Sequence, residues 1–293
     1  MSILIDTLLE IIREEYKKRE PEWKITCNLY HIDKEDISYL LNESKKKSEF
    51  DPMNIRIKMI EEWEEGKLEM IKGECQYGTI IIILDREIKR EDIPWRLWGR
   101  ILRLYCQKNN NKKCKIYILA SSNKRFFPKN NGKIRPENIN GGYTYTCNLE
   151  TIMIYRAEDA TRVLIHELQH SSCLDDKQKE VDDIEAETEA WAELLYIGLL
   201  SKGKKEVFNQ LVKKQIEWMC IQNRKVKNHM KNKNSKEFPW RYTIGKEEVW
   251  RRWGLIGKEK IIKDEVEDSL RLTRPPDNKI KEEMKVSSES VLL

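Results

Sequence analysis

Three residues near the middle of the chain have the types and the spacing to do chemistry. They are His166, Glu167 and His170, in the run Val163-Leu164-Ile165-His166-Glu167-Leu168-Gln169-His170. On an α-helix, side chains four residues apart stand one turn apart on the same face, so two imidazoles can share one metal ion while Glu167 projects beside it. Metal-assisted hydrolysis needs that arrangement, with a carboxylate close enough to take a proton from metal-bound water. The chain has 4 histidines, and two of them sit in this motif. The plain alternative is a chance pair on an amphipathic helix, and the context weighs against it. Glu158 and Asp159 put acids in the first turn, where the helix dipole favours them, and Val163, Leu164, Ile165 and Leu168 provide a face to bury.

A tetrahedral zinc ion that keeps one position for water needs a third protein ligand. The His-x-x-Gly-x-x-His continuation found in some zinc peptidases is absent, because Ser171-Ser172-Cys173-Leu174 follows His170. The acids come later, in a segment from Asp182 to Leu200 that reads as a helix, acidic at its start and apolar from Ala190 onward. Glu189 adjoins Ala190, Trp191 and Ala192, where a solvated carboxylate is least expected. Glu185 is its competitor one turn earlier, and Glu187 lies on a neighbouring face.

These features resemble the gluzincins, the metallopeptidases in which a Glu on a following helix completes a His-Glu-x-x-His site. The resemblance covers roughly residues 140 to 200 and is specific at a handful of positions. It implies an α+β, zincin-like fold, mainly helical, with a small mixed sheet packed against the motif helix. It implies Zn²⁺ as cofactor, a peptide or protein as substrate, and Glu167 as the general base. Glu189, nineteen residues after His170, takes the place of the third ligand, and Glu193, four residues later, that of the carboxylate orienting a coordinating imidazole. It also implies a substrate-binding strand edge over Gly142, Tyr143 and Thr144. A donor to the developing oxyanion would come from the C-terminal side, with Tyr242 preferred and Arg241 and His229 as the other candidates. More loosely, Ile139-Asn140-Gly141-Gly142-Tyr143-Thr144, followed by an apolar strand, an Arg and the motif helix, is similar to uncharacterised metallopeptidase-like proteins of giant DNA viruses. That likeness implies a host-cytoplasm or virion setting. The competing expectation is a non-catalytic interaction or virion-associated protein on a zincin scaffold.

Composition bounds the rest. With 293 residues and 39% hydrophobic content, the chain can build a sizeable core. Charged residues reach 36% yet nearly cancel at a net +5, which does not suggest a dedicated nucleic-acid binder. Seven cysteines without a C-x-x-C pair argue against a disulfide framework and against a Cys-based zinc site. Asp6 interrupts the first apolar run, and no window approaches eighteen apolar residues, so an intracellular protein without signal peptide or membrane span is expected.

The elements that must position the site follow from periodicity. Residues 2–19 read as an amphipathic helix, Lys24–Tyr30 as a short strand and Lys34–Leu41 as a short helix, with His31 an isolated histidine. Asp51-Pro52 reads as the start of a helix running through Trp63. Two β-branched runs, 79–84 and 115–120, flank a helix over 94–107, and a right-handed crossover would make them a parallel pair. A loop over 121–140 leads to an alternating hairpin, 143–147 against 151–155. Beyond the acidic helix come a helix over 207–222, a basic linker over 224–236, and a late strand over 238–244. The expected domains are an N-terminal helical region over 1–75, a zincin-like domain over 76–257, and a charged, disordered tail over 258–293.

Overall fold

The computed structural model describes residues 2–27, 30, 32–106, 113–232, 235–257 and 269–285. His31 lies outside them. In chain order the elements begin α1 (Ser2–Lys17), β1 (Lys24–Thr26), α2 (Lys34–Ser44), α3 (Ile55–Glu64), β2 (Glu69–Cys75), β3 (Gly78–Leu84), α4 (Trp95–Cys106) and β4 (Cys114–Ala120). They continue α5 (Pro136–Ile139), β5 (Gly142–Tyr143), β6 (Ile152–Ile154), α6 (Ala160–Ser171), α7 (Val181–Leu200), α8 (Lys205–Asn228), α9 (Ile244–Arg252) and α10 (Asn278–Met284). The described residues thus form an α+β protein with ten α-helices and one mixed six-stranded sheet. None of the helices is long and apolar enough to cross a membrane.

The chain divides into two compact units, and the boundaries differ from those expected. One unit gathers Arg19–Asn123, Asn140–Cys173 and Pro276–Leu293, the other Met1–Lys18, Lys124–Ile139 and Leu174–Pro275. The N-terminal 75 residues are therefore no separate region, because β1 and β2 belong to the sheet while α1 packs on α7.

In the first unit the sheet has the order β1-β2-β3-β4-β6-β5. The β3–β4 and β4–β6 pairs are parallel, and the remaining pairs are antiparallel. The β-branched runs are covered on both faces, as parallel strands require. Ile81, Ile83, Tyr117, Leu119, Met153 and Tyr155 meet Leu40, Ile55, Met59 and Ile60 from α2 and α3. The alternate residues, Ile80, Ile82, Ile116, Ile118, Ile152 and Ile154, are equally buried. Gly73, the partner of Ile80, leaves room for the Trp95 ring, which places α4 on their face. The helix α3 starts three residues later than expected, with Asn54 rather than Asp51 at its N-cap position, yet Asp51 still serves its first turn. The carboxylate accepts the Ile55 and Arg56 amides at 2.9 Å each, across the intervening turn.

In the second unit α1 lies along α7, where Gly198 makes room for Ile12 and the Tyr16 hydroxyl donates to the Leu199 carbonyl at 2.9 Å. Helix α8 is longer than its apolar spacing suggested and takes in residues 224–228 of the expected basic linker. The expected late strand is instead a 3₁₀ turn at Trp240–Tyr242 leading into α9.

Residues 269–285, expected to be part of a disordered tail, are ordered. Leu270, Leu272 and Thr273 are buried, and side chains of α8 and α9 hold the neighbouring main chain. Trp218 Nε1 donates to the Arg271 carbonyl at 2.9 Å, and Lys246 Nζ to the Leu272 carbonyl at 2.9 Å. Two disulfides also correct the reading of the cysteines: Cys106–Cys114 and Cys147–Cys173. Neither pair has a recognisable spacing, because each is made by chain segments that return in space.

Candidate metal centre

Helix α6 carries the motif and is fixed against the sheet. It packs on β5 and β6, and its first turn is tied to α4 by a 2.9 Å hydrogen bond from Trp98 Nε1 to Thr161 Oγ1. The closest approach is at Gly142. A Cβ there would stand 2.7 Å from Val163 Cγ1, 2.9 Å from the Met153 carbonyl and 3.1 Å from Glu167 Oε1. Only glycine lets the edge strand and the helix lie this close, and the contact sets Glu167 directly beside β5.

His166 and Glu167 are buried, with 6% and 5% of their surface exposed, and His170 is half-buried. The two imidazoles turn their Nε2 atoms toward each other at 3.1 Å, with the rings at 76°. Ligands at about 2.05 Å from a tetrahedral ion lie about 3.3 Å apart, so the pair is already spaced for one metal ion. Among the described residues the third member of the group is Glu185. His166, His170 and Glu185 each place a potential ligand atom within 4.8 Å of the others. Two imidazoles and one carboxylate suit zinc, and they also suit other divalent transition metals.

Glu189, the expected third ligand, is not in that group, although it is as buried as its apolar neighbours suggested, at 2% exposure. Glu193, expected to orient an imidazole, is held elsewhere. It is fully buried, and its Oε2 accepts Lys246 Nζ at 3.1 Å and the Thr273 hydroxyl at 2.8 Å. The acid grouped with the two histidines is therefore Glu185, one helical turn before the expected Glu189.

Of the three candidate donors, Tyr242 feels the charge of Glu185. Burial pushes its phenol well above the ordinary tyrosine range, with the neighbouring negative charge of Glu185 adding to the effect. Arg241 pairs instead with Asp182. The His229 ring stacks on Phe127, with Nδ1 2.8 Å from the Gly132 carbonyl.

At the strand edge, β5 contains Gly142 and Tyr143 but not Thr144. It is the outermost strand, as expected, and among the described residues it pairs through Gly142 with Ile154 and Tyr143 with Met153. The Tyr143 hydroxyl is engaged within the protein. It donates to Glu43 Oε2 at 2.6 Å and accepts from Arg56 Nη1 at 2.8 Å, and burial followed by the Glu43 bond raises its pKa. Burial acts to raise the Glu43 carboxyl too, but hydrogen bonds from Tyr143 and Lys46 outweigh it and hold Glu43 below the usual carboxylate range.

No protein-family model matches the chain, and no curated protein or solved structure is significantly similar to it.

One feature of the site gave no sequence signal. The Cys147–Cys173 disulfide joins the turn after β5 to the end of α6, three residues beyond His170.

Proposed function

We propose that the protein is a zinc-dependent metallopeptidase whose ion is held by His166, His170 and Glu185. The observation that carries the reading is the convergence of these three ligand atoms within 4.8 Å of one another, with a glutamate next to the first histidine. A bound Zn²⁺ would supply Lewis acidity toward a scissile carbonyl and lower the pKa of a coordinated water toward neutrality.

The chain's own residues have the remaining tasks. Glu167 is poised as the base that takes the proton of the attacking water and passes it to the leaving amine. Its burial beside Gly142 keeps bulk water from competing for the carboxylate. Gly142 and Tyr143 offer the free edge of β5, along which an extended peptide can pair through its main chain. Burial and the nearby charge of Glu185 push the Tyr242 phenol upward, which favours its neutral form, and its hydroxyl would be the donor to a developing oxyanion. Glu185, as the single carboxylate ligand, would leave a bound Zn²⁺ with a net charge of +1 and so still electrophilic.

Glu167→Gln tests the reading. The amide keeps the shape and cannot accept the proton, so zinc should stay bound while hydrolysis of a peptide library falls by at least about 100-fold. Full peptide hydrolysis by this variant would exclude Glu167 as the base. Stoichiometric zinc with no turnover in the unaltered protein would turn the reading into a non-catalytic metal protein.

A further inference from the structure

The two disulfides differ in a way that matters. Cys106 and Cys114 are buried, at 6% and 0% exposure, whereas both Cys147 and Cys173 are exposed and open to attack by a thiolate. The exposed pair also bears on a proposed metal ligand. The Cys147 amide donates to the His170 carbonyl at 3.0 Å, and the Cys173 amide donates to the same oxygen at 3.2 Å. Both half-cystines have left-handed backbones, with φ of 64° and 59°, a region that non-glycine residues seldom adopt. Cys173 occupies the left-handed position that commonly follows an α-helix, so its amide reaches His170 as part of the helix end, whereas Cys147 lies in a separate turn and reaches the same carbonyl beside the covalent link. Opening the bond removes that tie, so the Cys147 turn is free to leave His170 and the helix end that carries the Cys173 amide loses its anchor.

We propose that Cys147 and Cys173 are a reversible thiol–disulfide site that sets how firmly His170, and with it the metal, is held. The proposal rests on the reading of His170 as a ligand. In the opening reaction the thiolate of a small thiol of the glutathione class attacks one cysteine sulfur, breaks the S–S bond and leaves a mixed disulfide. A second small thiolate attacks that mixed disulfide, releasing the small-molecule disulfide and leaving both cysteines as thiols. Two electrons pass from the two small thiols to the protein pair, and the same disulfide closes the bond by the reverse steps. The oxidised form clamps the end of α6 to the turn following β5, and the reduced form frees it.

The test uses the full chain, oxidised with glutathione disulfide or reduced with a phosphine that competes little for zinc. Amide hydrogen exchange is followed in peptides covering 144–148 and 168–174, and zinc affinity is measured against a competing chelator. Reduction should speed exchange of the Cys147 and Cys173 amides at least about tenfold and weaken zinc binding by about 10-fold, the size seen when a group supporting a ligand is lost. Cys173→Ser, with Cys147→Ser as a second variant, should match the reduced protein and show no further response to the phosphine. Equal amide exchange in the oxidised and reduced proteins, or a response that persists in both variants, overturns the proposal. A chain that binds no zinc in either state overturns the metal reading instead, while amide exchange still decides whether the clamp exists.

Discussion

Replacing Gly142 by alanine tests the link between the strand edge and Glu167. The added Cβ would stand 2.7 Å from Val163 Cγ1 and 2.9 Å from the Met153 carbonyl, both closer than carbon contacts allow. The Val163 methyl can turn aside only within a packed interface. The Met153 carbonyl is main chain of β6, the strand that pairs with β5, so the strand or the helix must move. Overpacking of this kind costs about 1–3 kcal/mol. Alanine restricts the unfolded chain and offsets about 0.4–1 kcal/mol of that. The net loss is about 1–2 kcal/mol, a fall in melting temperature of roughly 2–8 °C for a chain of this size. Glu167 Oε1, 3.1 Å from the new atom, is displaced with α6. A misplacement of up to about 1 Å lowers turnover by as much as about 100-fold. Thermal melting and peptide-hydrolysis assays on Gly142→Ala would be set against Gly257→Ala, where a Cβ meets nothing within 4 Å. If both variants melt and turn over like the unaltered protein, the close packing of β5 on α6 is not what positions Glu167.

Lys246→Met leaves the fully buried Glu193 carboxylate without its 3.1 Å ammonium partner. It should cost about 3–5 kcal/mol in urea unfolding, and a loss below about 1 kcal/mol would mean that water reaches the pair. Glu43 contributes to acid sensitivity. Its folded pKa is depressed, so its stabilisation is complete above the unfolded value of about 4.3 and fades as pH falls through the lower folded value. Glu43→Gln should therefore destabilise the protein at neutral pH and flatten the fall in melting temperature below about pH 4, and an unchanged acid limb would contradict this assignment.

The sequence made the motif helix and the parallel β3–β4 pair legible because each rests on a period repeated over many residues. Helical spacing put His166 and His170 on one face, and continuous β-branched runs identified strands covered on both faces. The third acid was harder to read. Apolar neighbours correctly marked Glu189 and Glu193 as buried, but burial does not say what a carboxylate faces. Glu193 faces Lys246 and Thr273, and Glu185, in the more polar start of α7, is the acid grouped with the histidines. Tyr143 shows the same limit, since its place on the edge strand was legible and its partners, Glu43 and Arg56, come from far earlier in the chain. Leu270 and Leu272 were hidden by charged surroundings, because two alternating leucines in a polar stretch carry no periodic signal.

The most direct test of the central claim is zinc affinity in Glu185→Ala and Glu189→Ala, measured by chelator competition beside the unaltered chain. The grouping of His166, His170 and Glu185 predicts that Glu185→Ala loses at least about 100-fold in affinity while Glu189→Ala stays within about 10-fold of the unaltered protein. Zinc lost from Glu189→Ala and kept by Glu185→Ala would contradict it.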